Sequence, residues 1–147
     1  MKRQVRQGVF ETNSSSTHSI TITEKSLYEA WKNGNMMYCN YQEKKFIPVD
    51  EAIERNLNMI QRDYLDGAPF SESFIKKYKE TKNLRDSIDE FTDELGLESG
   101  EIEYYDIYQS YDEYWEYIGD RYETYTSSYT TQHGDNVVAF GYYGNDY

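Results

Sequence analysis

The sequence predicts an α+β fold: an antiparallel sheet with four or five helices packed on it, forming a single domain over residues 1–147. Three observations carry this expectation. Segments of alternating apolar and polar residues rich in Tyr and Thr stand near both ends of the chain, and segments of helical periodicity fill the middle. A length of 147 residues suffices for one core without disulfides or a structural metal. Seventeen Tyr, six Phe and two Trp supply the buriable ring area that disordered chains lack.

From the N terminus, Val5, Val9 and Phe10 begin an extended segment, and Ile20 and Ile22 alternating with Thr21 and Thr23 give a second. The hydroxyl-rich run between them reads as a hairpin loop. A short helix follows from about Lys25 to Asn33, with Thr23 as cap, Leu27, Tyr28 and Trp31 inward and Gly34 as its stop. Met36 to Cys39 and Lys45 to Ile47 read as two short strands around a polar turn. Pro48 and Asp50 announce a helix carrying Ala52, Ile53, Leu57, Ile60, Tyr64 and Leu65, which stops at Asp66-Gly67-Ala68-Pro69. A third helix runs from Ser71 to Tyr78. A fourth has Asn83 as cap, Leu84, Ile88, Phe91 and Leu95 as its apolar stripe and Gly96 as its end. After Gly100 strand and helix periods compete, and the reading places a strand over 101–108 and a helix over 111–118, the latter opened by the capping-box pattern Ser110-Tyr111-Asp112-Glu113. Tyr122 to Thr131 favours a strand, and His133-Gly134-Asp135-Asn136 turns it into Val137-Val138-Ala139-Phe140.

Charge divides the chain more sharply than structure does. From Asp86 to Tyr147 there are sixteen Asp and Glu against the single base Arg121, whereas Met1 to Arg85 carries eleven acids and fourteen Lys and Arg, so the balance is −15 against +3. Twelve of the seventeen tyrosines lie in the acidic part. On the fourth helix Asp86, Asp89, Glu90, Asp93 and Glu94 form a ladder with one turn, about 5.4 Å, between rungs. Glu103, Asp106, Asp112, Glu113 and Glu116 continue it, with Tyr105, Tyr114, Tyr117 and Tyr125 expected outside beside the acids, while Tyr104, Tyr108, Trp115 and Ile118 are expected in the core. Residues 86–130 thus read as an acidic, Tyr-rich interaction surface within the one domain. Such a surface repels nucleic acid and attracts proteins that bind it. Rings that stack bases stand beside Lys and Arg, and here they stand beside carboxylates, which disfavours direct nucleic-acid binding.

Cys39 is the only cysteine, so no internal disulfide is available, nor a zinc site of four cysteines or of two cysteines and two histidines, and a reducing cytoplasm is the expected compartment. Neither a secretory signal nor an apolar stretch of about 20 residues is present, and no metal or cofactor is expected.

Residues Phe10-Glu11-Thr12-Asn13-Ser14-Ser15-Ser16-Thr17-His18-Ser19 crowd hydroxyls and an imidazole together. This run resembles the opening of a family of small, uncharacterised proteins encoded by bacteriophages and prophages of Gram-positive bacteria. Trp31-Lys32-Asn33-Gly34 and Val138-Ala139-Phe140-Gly141-Tyr142-Tyr143-Gly144 are similar to further elements of that family. The resemblance implies a phage or prophage origin and assigns no activity. Small phage proteins of this kind often inhibit host machinery, anti-CRISPR proteins that imitate DNA among them, so the analogy points to a non-enzymatic inhibitor in the host cytoplasm. Its expected partner is a host nucleic-acid-binding defence protein such as a CRISPR effector. The alternative is a phosphate- or nucleotide-binding protein or hydrolase in which Ser14, Ser15, Ser16, Thr17, His18 and Ser19 form a ligand loop, against the plainer reading of hydroxyls satisfying turn backbone.

Overall fold

The computed structural model describes residues 16–40, 45–104 and 106–145. In chain order its elements are β1 (Ser16–Glu24), α1 (Lys25–Lys32), β2 (Met36–Cys39), β3 (Lys45–Pro48), α2 (Val49–Tyr64), α3 (Glu72–Thr81), α4 (Leu84–Glu90), α5 (Thr92–Leu95), a 3-10 turn (Ser99–Glu101), α6 (Tyr111–Gly119), β4 (Glu123–Thr130) and β5 (Asn136–Asn145). The fold is α+β, with, among the described residues, one antiparallel sheet of three strands and one of two. The chain falls into two compact units, one drawn from both ends, through Tyr28 and from Trp115 onward, and the other from Glu29–Tyr114. The expected strand around Val5, Val9 and Phe10 lies outside the described residues.

In the unit drawn from both ends, β5 is the central strand of the order β1-β5-β4. Opposed residues of paired strands share a face, so Thr21, Phe140 and Thr126 stand on one side and Ile20, Gly141 and Tyr125 on the other. Phe140 is fully buried, with the rings of Tyr28 and Trp115 at 5.4 and 6.1 Å. That contact decides which face is covered. Thr21 is therefore buried while Ile22, one residue on, is 42% exposed.

On the opposite face the Tyr125 hydroxyl reaches across Gly141 and donates to the Ser19 carbonyl at 2.6 Å. Partial burial, with Tyr142 nearby, pushes this phenol up to about 12, so it remains a donor. Glycine at 141 makes the crossing feasible: a Cβ there would collide with the Ser19 carbonyl oxygen and lie 2.7 Å from the Tyr125 hydroxyl. Gly141→Ala should cost about 1–3 kcal/mol in urea unfolding. Adding Tyr125→Phe should recover only part of it, because the backbone obstruction stays; full recovery would place the whole conflict at the hydroxyl.

In the unit Glu29–Tyr114, Pro48 precedes α2, which has Asp50 and Glu51 in its first turn and Arg62 in its last, as the helix dipole favours. Ser71 caps α3 by accepting from the Phe74 N–H at 3.1 Å. The helix runs past the expected Tyr78 to Thr81 and closes on Lys82, whose φ of 55° is left-handed. Asn83 caps α4 through the Asp86 N–H at 3.0 Å. The single helix expected from Leu84 to Leu95 breaks at Phe91, where the Thr92 hydroxyl donates to the Ile88 and Asp89 carbonyls at 3.3 and 3.0 Å, bending the chain into the short α5. Ile53, Ile60, Phe74, Tyr78, Leu84 and Ile88 build one core with Met37 and Ile47 of the β2–β3 hairpin. Trp31, fully buried, meets the rings of Tyr38, Phe46, Tyr111 and Tyr114 at 5.0–5.6 Å.

The expected strand over 101–108 is not formed. The described residues 102–104 and 106–110 are mostly buried yet irregular, with one isolated bridge between Gln109 and Tyr38. Side chains take the place of a ladder. Asn56, 1% exposed, donates to the Tyr108 carbonyl at 2.8 Å and accepts from the Tyr108 N–H at 2.9 Å, and it also donates to the Tyr78 hydroxyl at 2.8 Å. The indole N–H of Trp31 donates to the Gln109 carbonyl at 3.0 Å. Asn56→Leu keeps the volume but strands the Tyr108 peptide groups. It should lower unfolding free energy by about 3 kcal/mol in urea titration; a loss below about 1 kcal/mol would mean that water or another group replaces the amide.

Candidate functional site: an acidic exterior and its one buried carboxylate

Fourteen acids lie between Asp86 and Glu123, and thirteen are exposed. Helix geometry explains the first of them. On α4 the apolar Leu84 and Ile88 turn inward, which leaves Asp86, Asp89 and Glu90 outside, and Asp93 and Glu94 stand in the first turn of α5, where the helix dipole favours negative charge. The break at Phe91 divides the expected ladder between two helices. Those residues, with Glu103, Asp106 and Asp112, belong to the unit Glu29–Tyr114, whereas Glu116 lies in the other unit.

Several of these carboxylates hold the fold. Asp89 accepts from the Ser99 N–H at 2.9 Å and from the Ser99 hydroxyl at 2.8 Å, fixing the 3-10 turn. Glu101 accepts from the Glu98 N–H at 2.8 Å. Glu90 pairs with Lys77 at 3.4 Å on the surface. Asp106 lines a cleft of about 360 Å³ with Arg55, Arg62 and the buried Cys39. Arg62 is itself forked onto Asp63 at 2.7 and 3.1 Å, and Arg55 bridges Glu51 at 3.0 Å.

Two residues expected on the surface are interior. Tyr114 is fully buried in the ring cluster around Trp31, and Glu113 is 1% exposed. The reason is the breadth of the covered face of α6: Glu113, Tyr114 and Ile118 are buried, with Tyr111, Trp115 and Tyr117 half-buried, so only a narrow stripe at Asp112, Glu116 and Gly119 meets solvent. Tyr117, half-buried, lies under the guanidinium of Arg121 at 5.1 Å. Trp115, expected in the core, is only partly buried, and Tyr105 lies outside the described residues.

Glu113 forms half of the capping box legible in the sequence, since its N–H donates to the Ser110 hydroxyl at 3.2 Å. The side chain does not turn back to complete it. It spans instead to the first turn of α4, accepting from the Leu84 N–H at 3.0 Å, the Arg85 N–H at 3.3 Å and the Arg85 guanidinium at 3.2 Å. That guanidinium also lies 3.8 Å over the Tyr104 ring. Burial pushes the Glu113 carboxyl up to about 7, against the pull of Arg85 and the two backbone amides. No sequence signal singles out this pair, because the spacing between Arg85 and Glu113 follows no local period.

The hydroxyl-rich N-terminal motif is also placed differently. Ser14 and Ser15 lie outside the described residues, but Ser16, Thr17, His18 and Ser19 belong to β1, paired with residues 142–145 of β5. An extended strand does not gather successive N–H groups around one anion as a turn does. The expected ligand loop over 14–19 is therefore not a loop from Ser16 onward.

No helix of the described residues is long and apolar enough to cross a membrane. No protein-family model matches the chain, and neither does any curated protein or solved structure.

The raised Glu113 carboxyl makes stability depend on pH. The folded state holds this proton more tightly than the unfolded chain, so its contribution is fully present below about pH 4.5 and is lost as pH rises through about 7. Relative to Glu113→Gln, the native protein should lose on the order of 2–3 kcal/mol between pH 5 and pH 8 in urea unfolding. A difference that grows with pH would show that the ion pair with Arg85 outweighs burial.

Proposed function

We propose that this chain is a phage-derived, non-enzymatic inhibitor whose acidic exterior occupies a basic, nucleic-acid-binding surface on a host defence protein of the CRISPR-effector class, in the host cytoplasm. The observation that carries the reading is the exposure of thirteen of the fourteen acids from Asp86 to Glu123, with Arg121 the one base among them. Such a concentration of like charge opposes compaction, and a surface that meets Lys and Arg on a partner offsets that cost. The motif from Phe10 to Ser19, by its resemblance to phage and prophage proteins, supports the origin.

Asp93, Glu94 and Glu103 are the carboxylates best suited to test the proposal, because all three are exposed, whereas Asp89 and Glu90 are engaged with Ser99 and Lys77. Reversing the three to Lys should weaken displacement of duplex DNA from a purified CRISPR effector by roughly tenfold or more. Raising salt well above 0.1 M, where the Debye length is about 10 Å, should weaken the native protein similarly. Displacement indifferent to both salt and the triple reversal would overturn the proposal.

A further inference from the structure

β4 borders the three-stranded sheet of the described residues, and all eight of its residues are exposed except the half-buried Tyr125. At about 3.4 Å per residue it presents roughly 27 Å of edge. Exposed edges are ordinarily guarded by Lys, Pro or a bulge, because an unguarded edge pairs with another chain. β4 has no Lys and no Pro, and its one charge is Glu123 at the end.

The residue order along this edge is nearly palindromic. About Ser127, Thr126 mirrors Ser128, Tyr125 mirrors Tyr129 and Thr124 mirrors Thr130. About a two-fold axis at Ser127 in an antiparallel strand pair, residue i faces j of the other copy and j faces i, so this order sets Thr opposite Thr or Ser and Tyr opposite Tyr. We propose that β4 pairs antiparallel with β4 of a second copy about Ser127, joining two three-stranded sheets into one of six strands.

Charge and geometry favour a second copy as the occupant. The chain carries a net charge of −12, which repels its own copies, yet Thr124 to Gly134 contains no Asp, Glu, Lys or Arg. Like-charge contact is therefore small along this edge, and Glu123 would face Thr131 of the other copy rather than its own equivalent. Tyr125 and Tyr129 stand on one sheet face with Ile20, Ile22 and Tyr143. The pairing sets Tyr129 of each copy, 40% exposed, beside Tyr125 of the other, a cross-strand aromatic pair. Tyr125 is already held by its bond to the Ser19 carbonyl, so little freedom is lost on association.

Sedimentation equilibrium of the full chain from micromolar to millimolar concentration should show a monomer–dimer equilibrium that strengthens with salt. That sign is opposite to the one expected of the acidic surface, so failure of either proposal is distinguishable from failure of the other. In the double variant Thr126→Lys, Ser128→Lys, each Lys faces a Lys of the other copy, and the dimer should weaken roughly tenfold. In Thr126→Lys, Ser128→Glu, each Lys faces a Glu, and affinity should return to within a few-fold of native. Ser127→Cys, on the axis, should form a covalent dimer with oxidised glutathione faster than Thr124→Cys does, against a buried Cys39. A native chain monomeric at the highest concentration, equal weakening in the two charge variants, or equal cross-linking of the two cysteine variants would overturn the proposal.

Discussion

A buried stretch of backbone that joins no ladder must find a partner for each of its N–H and C=O groups, and residues 107–110 impose that requirement on everything around them. Ile102, Ile107, Tyr108, Gln109 and Ser110 are all buried. Tyr108 is paired by the Asn56 amide, Gln109 by the Tyr38 peptide with the Trp31 indole added, and Ser110 turns the chain into α6 by capping it. Each partner is thereby confined: Asn56 to the inner face of α2, Trp31 to the ring cluster, Tyr38 to the strand that meets Gln109. One irregular segment thus ties α2, the β2 strand and the start of α6 together within the unit Glu29–Tyr114.

The same accounting separates the inner carboxylate from the outer ones. A carboxylate enters the interior only where donors converge on it, and Glu113 has two backbone N–H groups and a guanidinium. Among the described residues no comparable set of donors surrounds Asp93, Glu94 or Glu103, and they stay in water. The acidic exterior is therefore the residue of a selection made by the interior, and the electrostatic field available to a partner is set by how few carboxylates the core accepts.

The elements legible in the sequence are those whose signals are local. The stop at Gly34, the cap Asn83 and the turn before Val137 all stand where the sequence places them, because each depends on hydrogen bonds within three or four residues. The strand expected over 101–108 does not form, because alternating apolar residues report burial but not which group accepts the backbone bonds. Glu113 and Tyr114 are interior against expectation, because a helix covered over most of its circumference offers only a narrow polar stripe, at Asp112 and Glu116, to read. The exposure of Asp86, Asp93 and Glu94 is legible for the opposite reason: their helices turn one apolar stripe inward.

By itself the sequence determined the α+β class, most helix boundaries, the charge imbalance and the near-palindrome around Ser127, since composition, capping and periodicity are properties of neighbouring residues. Only the tertiary structure decided that Thr21 is covered while Ile22 is open, that Tyr125 crosses Gly141, and that Glu113 joins the first turn of α4. Those outcomes depend on which distant group is present to fill a face or complete a hydrogen bond. Packing and desolvation act between segments far apart in the chain, and local pattern holds no record of them.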